Sequence, residues 1–208
     1  MSDTFDLARI NAEFGNDPEA LTRWALSLDK HAICTTNFRP FEAVILHMVT
    51  RFRPDIPIVW MDNGYNTDAT YRFADEVTRK LNLNRIIYLP QRTRAHREAV
   101  DGLTPHIDDP RHEAFTREVK LEPFERALRE LNPEMWFTAV RASDTAFRAG
   151  MQPVSLNGDG LIKVAPLLNW SSKQMHEYLV AHDLPNEFDY VDPTKAEDNR
   201  ECGLHLAH

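Results

Sequence analysis

Ile56-Pro57-Ile58-Val59-Trp60-Met61 is a near-continuous apolar run that stops abruptly at Asp62-Asn63-Gly64. A strand with one wet face alternates apolar and polar residues, whereas an unbroken apolar run marks a strand buried on both faces. From Asp68 to Leu81 the apolar residues change to helical spacing, and Arg85-Ile86-Ile87-Tyr88-Leu89 then restores the strand pattern. This alternation is the pattern of a buried parallel sheet covered by helices on both faces.

The pattern extends in both directions. Upstream, Ala32-Ile33-Cys34 is a short apolar strand, Thr35-Thr36-Asn37 a polar turn, and Phe41 to Phe52 a helix. Before these, Phe5, Leu7, Ile10 and Phe14 fall at helical spacing, and Asp17-Pro18 caps a helix through Leu28, with proline in its first turn. Downstream, a helix from about Arg111 to Leu131 precedes the strand Met135 to Ala139. Val154-Ser155-Leu156 and Leu161 to Val164 flank the hairpin turn Asn157-Gly158-Asp159-Gly160. Trp170-Ser171 opens a helix to about His182, and Pro185 to His208 reads as a polar loop and mobile tail. The predicted fold class is α/β, a mostly parallel twisted sheet with helices on both faces. Its parts are an N-terminal helical segment (1–30), an α/β domain (31–184) and the tail (185–208). Ligands of such sheets bind at the carboxyl ends of the strands, here Cys34 to Phe38, Asp62 to Tyr65 and Val140 to Arg148.

A formal net charge of −8 makes the chain a poor general binder of nucleic acid or anionic membrane. An anionic metabolite then requires arginines and backbone N–H groups to converge locally. The one dense basic run, Arg92, Arg94, His96 and Arg97, reads first as a solvated helix face and second as a docking patch. The two cysteines cannot supply the four thiolates of an ordinary iron–sulfur cluster, and no histidine spacing matches a metal motif, so no metal site is expected. No apolar run reaches spanning length and Met1 to Asp6 lacks a signal pattern, so the expected setting is a reducing cytoplasm.

Cys34 sits in an apolar strand, where a free thiol packs and is inert. Cys202 is different: Asn199, Arg200 and Glu201 precede it and Gly203 follows. A reactive thiol must be accessible and partly thiolate; Arg200 and His205 favour the thiolate and Glu201 opposes it. At the strand ends, Thr35, Thr36, Asn37 and the following backbone can either cradle a phosphate or sulfate or cap a helix. Asp62 can either hydrogen-bond an adenosine or shape the turn with Gly64. Arg141 and Arg148 are candidate anion-binding forks, the competing role of each being a surface ion pair.

Glu201-Cys202-Gly203-Leu204-His205 resembles the terminal signature of the phosphoadenosine phosphosulfate reductase family. Collinear similarities extend back to Ala32. Thr35-Thr36-Asn37-Phe38 with Ala43 to His47 is similar to that family's modified phosphate loop. Arg53 to Pro57, Asp62 to Tyr65 and Thr70 to Phe73 resemble its second strand and following helix, Arg141 and Arg148 its arginine segment, and Val164 to Trp170 its late strand and last helix start. The resemblance implies an adenine nucleotide alpha hydrolase-like fold in which 31–184 binds nucleotide. It implies that Cys202 attacks the sulfonate of 3′-phosphoadenosine 5′-phosphosulfate, or of adenylyl sulfate. Thioredoxin or glutaredoxin then releases sulfite from the cysteine S-sulfonate. It further implies substrate contacts from Thr35, Thr36, Asn37, Phe38, Asp62, Gly64, Arg141, Arg148, Arg200 and His205, a homo-oligomer, and no cluster, since cluster-bearing members carry a paired Cys-Cys and a Cys-x-x-Cys.

Two departures stand out. Arg39-Pro40 follows Phe38 where the family usually has glycine, and only Tyr190 to Asn199 fills the place of the family's longer closing segment. Two other readings therefore stay open: an adenylating or sulfur-transferring enzyme of the same fold, and a non-catalytic nucleotide-binding module. The first usually carries a Ser-Gly-Gly loop, which Thr35 to Pro40 does not reproduce.

Overall fold

A computed structural model of the chain describes residues 6–195; Arg200, Cys202 and His205 lie outside the described residues. The strands are β1 (Ala32–Thr36), β2 (Pro57–Met61), β3 (Asn84–Tyr88), β4 (Met135–Phe137), β5 (Val154–Leu156) and β6 (Ile162–Val164). The α-helices are α1 (Leu7–Phe14), α2 (Pro18–Ser27), α3 (Ala43–Phe52), α4 (Asp68–Leu81), α5 (Arg94–Asp101), α6 (His112–Thr116), α7 (Glu122–Leu131) and α8 (Ser172–Ala181).

The strands form a six-stranded sheet in the order β3-β2-β1-β4-β6-β5. All neighbours run parallel except β5, which pairs antiparallel with β6 across the Asn157–Gly160 turn. The order reverses at β1: β2 and β3 lie on one side and β4 on the other. A crevice opens between the diverging connections, at the carboxyl ends of β1 and β4.

The near-continuous apolar runs have the predicted cause. Cys34, Ile58, Trp60 and Phe137 pack on one face of the sheet, in one cluster with Leu21, Leu46, Phe73 and Leu179 from α2, α3, α4 and α8. Ile33, Val59, Met61 and Trp136 pack on the other, with Phe124 and Ala127 of α7. Ile10 of α1 joins the first cluster, so the N-terminal helices pack on the same core as the sheet.

Several differences from the sequence reading have local causes. Strand β1 continues through Thr35 and Thr36, whose hydroxyls find partners inside the protein (Trp136 Nε1 to Thr35 Oγ1, 2.8 Å; Thr36 Oγ1 to Glu42 Oε2, 2.6 Å), so neither belongs to a turn. Helix α3 begins at Ala43 because Phe41 has φ +70°, which no right-handed helix accepts. The helix expected from about Arg111 to Leu131 is continuous, but Arg117–Leu121 is a π-helical turn. Pro123 explains it: the ring has no N–H for the carbonyl of Val119 and crowds it, so the helix widens just upstream.

The basic run straddles the start of α5, with Arg92 before its cap and Arg94, His96 and Arg97 on it, and the solvated-face reading needs correction for Arg97. That residue is 3% exposed and donates to the Tyr65 hydroxyl and the Arg92 carbonyl, both at 3.0 Å. Arg92 donates twice to Glu118 at 2.7 Å and pairs with Asp101. Glu118 of the neighbouring helix, 3.4 Å from Arg97 Nε as well as bonded to Arg92, therefore draws two members of the run toward it.

The polar segment after α8 is also tied down as far as it is described. Asn186 Oδ1 accepts from the N–H of Phe41 (2.7 Å), and the Asp189 carbonyl accepts from Thr67 and Thr70 hydroxyls at 2.7 and 2.9 Å. Phe188 stands edge-on to Phe41. Residues 186–195 thus form a strap across the carboxyl ends of the strands rather than a loose tail. None of the described helices is long and apolar enough to cross a membrane.

Candidate active site

The crevice at the switch point is a cleft of about 470 Å³. One wall is the end of β1 and the loop into α3. The opposite wall is the segment after β4, from Thr138 to Arg141, with Arg148 behind it. The π-helical turn contributes Lys120, and the strap closes one side with Phe188, Tyr190, Val191, Asp192 and Lys195.

Glu42 organises the loop from β1 to α3. Its buried carboxylate accepts from the Thr36 hydroxyl, the Asn37 N–H (2.7 Å) and Arg39 Nε (3.0 Å). The Phe38 N–H goes to Thr36 Oγ1, the Glu42 N–H to the Arg39 carbonyl, and the Phe41 N–H to Asn186. Backbone donors that sequence reading offered to a phosphate are therefore engaged within the protein. Thr35, Thr36 and Asn37 do line the cleft, but this loop is not an open N–H cradle of the usual phosphate-binding kind.

Phe38 and Phe41 both have positive φ, +53° and +70°, on either side of Arg39-Pro40. Each left-handed non-glycine residue costs on the order of 1 kcal/mol or more. Phe38 is held there by burial: it is fully enclosed, edge-on to Trp60 and Phe73. This corrects the sequence assignment, since Phe38 is a core anchor and does not line the cleft. Asp62 and Gly64 are also absent from its wall. Asp62 Oδ1 accepts from the Gly64 N–H, Asn66 Nδ2 and the Tyr71 hydroxyl at 3.0, 2.9 and 2.9 Å, and Gly64 has φ +81°. Of the two roles open to Asp62, this geometry is that of a turn former.

Cationic side chains take over where backbone donors do not. Arg39 donates from Nε to Glu42, from Nη1 to Asp144 and from Nη2 to the Ala139 carbonyl, each at 3.0 Å. Arg141 bonds Ser172 Oγ and Asp144 at 2.9 Å and lies over the Phe41 ring. Arg148 is 3% exposed and reaches Asp144 at 3.1 Å, so it is a buried member of the site and not a surface ion pair. Burial alone would push the Asp144 carboxyl up, but Arg39, Arg141 and Arg148 outweigh it and hold it below the ordinary carboxylate range.

Lys120 had no sequence signal beyond Pro123 three residues later, whose effect on the helix turns Lys120 into the cleft. It pairs with Asp192 of the strap, both side chains almost fully buried, and Thr194 lies at 3.3 Å. Burial, and then Asp192 beside it, pushes the Tyr190 phenol up and keeps it protonated. Arg39, Lys120, Arg141, Arg148 and Lys195 face the carboxylates of Glu42, Asp144 and Asp192, a formal excess of two positive charges in a chain of net charge −8. Such a site concentrates a multiply charged anion.

Among the described residues, no group of three or more His, Cys, Asp or Glu side chains comes together to hold a metal ion. Cys34 is fully buried, and burial, then Glu42, push its thiol far above the ordinary cysteine range. It is a packing residue.

Comparison with known proteins agrees with this architecture. A family model for the phosphoadenosine phosphosulfate reductase domain matches residues 32–187. The phosphoadenosine 5′-phosphosulfate reductase of Synechocystis sp. is 36% identical over 227 positions, covering 97% of this chain and 91% of that protein. Because 227 exceeds the 208 residues of this chain, that relative carries at least 19 inserted positions. Among solved structures, the phosphoadenylyl-sulfate reductase of Candida auris superposes with a TM-score of 0.76 at 22% identity, covering 89% of this chain and 91% of that one. The FMN adenylyltransferase of Candida glabrata superposes with a TM-score of 0.60 at 14% identity, over 89% of this chain and 60% of that one, so the fold is shared beyond reductases. Sequence identity along nearly the whole length, carried on this sheet order, shows that the chain belongs to the phosphoadenosine phosphosulfate reductase family.

Proposed function

We propose that this protein reduces 3′-phosphoadenosine 5′-phosphosulfate to sulfite and adenosine 3′,5′-bisphosphate in sulfate assimilation, with Cys202 as nucleophile and thioredoxin or glutaredoxin as external reductant. The observation that carries the reading is the cationic cleft whose strap reaches Lys195, seven residues before Cys202. Seven extended residues span at most about 25 Å, so the thiol is tethered to the cleft.

The chemistry follows from that tether. The Cys202 thiolate attacks the sulfonate sulfur, an S–S bond forms, and the bond to the phosphate oxygen breaks, with the electron pair leaving on the bisphosphate. Arg39, Arg141, Arg148 and Lys120 stabilise the charge that develops on this leaving group. In the second step a thiolate of the external dithiol attacks the Cys202 sulfur, sulfite departs with the electron pair, and a mixed disulfide remains. The partner's second thiol resolves it, so the dithiol is oxidised by two electrons and Cys202 returns to the thiol. No iron–sulfur cluster takes part, and Arg200 and His205 favour the thiolate. The same reading sets the enzyme in a reducing cytoplasm as a homodimer. It prefers the 3′-phosphorylated substrate, because one more charge-assisted hydrogen bond contributes roughly 1.5–3 kcal/mol.

Intact-protein mass spectrometry after mixing with substrate and no reductant tests the proposal. Wild type gains one SO3 group on Cys202 that thioredoxin removes, and Cys202→Ser gains none and releases no sulfite. An adduct on Cys34, or sulfite from Cys202→Ser, overturns the mechanism. ATP–pyrophosphate exchange without sulfite release points to an adenylating enzyme, and nucleotide binding with neither activity to a non-catalytic module.

A further inference from the structure

Three arginines of the cleft come from three different segments: Arg39 from the loop after β1, Arg141 from the segment after β4, and Arg148 from a short 3-10 turn further on. Like charges do not gather in a partly buried crevice unless something holds them. They share one partner. Asp144 Oδ2 accepts from Arg39 Nη1 at 3.0 Å and from Arg148 Nη1 at 3.1 Å, and Asp144 Oδ1 accepts from Arg141 Nη2 at 2.9 Å. The carboxylate is itself 11% exposed, and the 3-10 turn Ala142–Asp144 fixes its backbone.

We propose that Asp144 is a positioning residue that gathers Arg39, Arg141 and Arg148 into one anion-binding cradle; this rests on the functional reading above. Arg39 stands where sequence reading expected glycine, and a guanidinium at that place would block the cleft if it swung inward. Its three bonds to Glu42, Asp144 and the Ala139 carbonyl hold it flat along the wall. Asp144 therefore makes the arginine substitution compatible with a bound anion, and it presets the other two forks so that little side-chain freedom is lost on binding.

The inference can be tested because it opposes simple charge counting. Asp144→Asn adds one positive charge to the cleft, so Coulomb attraction alone predicts tighter binding of adenosine 3′,5′-bisphosphate. Loss of positioning predicts weaker binding, by about tenfold if one well-placed charge-assisted bond is lost. The charge-neutral double substitution Arg39→Met with Asp144→Asn removes one cation and one anion. Read against Arg39→Met alone, which carries the loss of Arg39's own contact, charge counting predicts tighter binding for the double variant, and positioning predicts weaker binding through Arg141 and Arg148. This double variant leaves fewer unneutralised guanidinium groups and decides the matter if the single variant does not unfold cooperatively. Calorimetric titration with the bisphosphate, beside thermal unfolding of each variant, gives the readout. Asp144→Glu, which restores the charge, should recover at least part of the affinity and of kcat/KM for sulfite release. Unchanged or tighter binding in a folded variant lacking the carboxylate overturns the role of Asp144. Failure of the wild type to bind the bisphosphate overturns the functional reading instead.

Discussion

Lys120 and Asp192, 72 residues apart in the chain, form an ion pair in which each side chain is about 95% buried, joining the π-helical turn to the strap. A pair of this kind is costly to break from one side, because the remaining charge stays buried.

Asp192→Asn should therefore loosen the strap. Removing one partner of a buried pair costs roughly 3–5 kcal/mol, although part of the strap remains held through Asn186 and Asp189. Faster hydrogen exchange over 186–195 and slower sulfite release are the expected outcomes. Protection equal to wild type would show that the pair does not hold the strap.

The same pair has a pH signature. Burial alone would push the Asp192 carboxyl up, but the Lys120 ammonium and the Thr194 groups outweigh it and hold it below the ordinary carboxylate range. A depressed carboxyl contributes stability that is present above its unfolded pKa, about 4, and is lost as pH falls through the folded value. Strap protection should be flat from neutral pH to about 5 and fall below about 4, which exchange at stepped pH measures.

His47 gives a slope at higher pH. Burial, then His182 and Arg51 nearby, lower its pKa to about 4, and its ring lies 3.0 Å from the Tyr178 hydroxyl. Unfolded histidine titrates near 6.5, so between about 4 and 6.5 the unfolded chain binds more protons and stability falls as the solution is acidified. Tm should drop between pH 7 and pH 5, and His47→Gln should flatten that drop. An equal slope in the variant would assign the effect elsewhere.

Thr35→Val tests the hydrogen bond from the Trp136 indole. The indole is wholly buried on the α7 side of the sheet, and Thr35 Oγ1 is its acceptor at 2.8 Å. Valine keeps the shape but leaves that N–H without the hydroxyl, a loss of roughly 1–3 kcal/mol, readable as a lower denaturant midpoint with unchanged slope.

Cys34 should be silent in the folded protein. With its thiol enclosed and pushed far up, alkylation at pH 8 should label Cys202 alone and reach Cys34 only at the rate of unfolding. Equal labelling of both in native protein would contradict the burial.

The sheet was legible in the sequence because its inner strands β1, β2, β4 and β6 are buried on both faces, while the edge strand β3 leaves Ile87 exposed, and because its helices carry clear end signals. Helix α4 runs over Asp68–Leu81 as read, since Thr67 caps one end and Asn82, left-handed, closes the other. The candidate site was legible only in outline. Thr36 and Asn37 do border the cleft, but nothing local reveals that Glu42 claims the hydroxyl of one and the N–H of the other. Phe38 was assigned to substrate through the resemblance of Thr35-Thr36-Asn37-Phe38 to the family's phosphate loop, whereas its left-handed backbone accompanies a side chain buried in the core. Lys120 and Asp192 meet only through tertiary structure, and periodicity carries no information about such pairs. Cys202, to which the proposed mechanism assigns the attack on sulfur, falls outside the described residues.

The widened turn at Arg117–Leu121 has a consequence for the whole helix that contains it. Each residue of an α-helix advances about 100° around the axis, and a π turn takes up one residue more per turn than the regular spiral. The two halves of the helix are thereby out of phase, so α6 and α7 need not share one apolar stripe. Phe124 and Ala127 answer to the sheet, while Glu118 answers to Arg92 and Lys120 to Asp192. Deleting a single residue between 117 and 121 would restore phase and force a choice between the two sets of partners, making this turn intolerant of length change even where its side chains accept substitution.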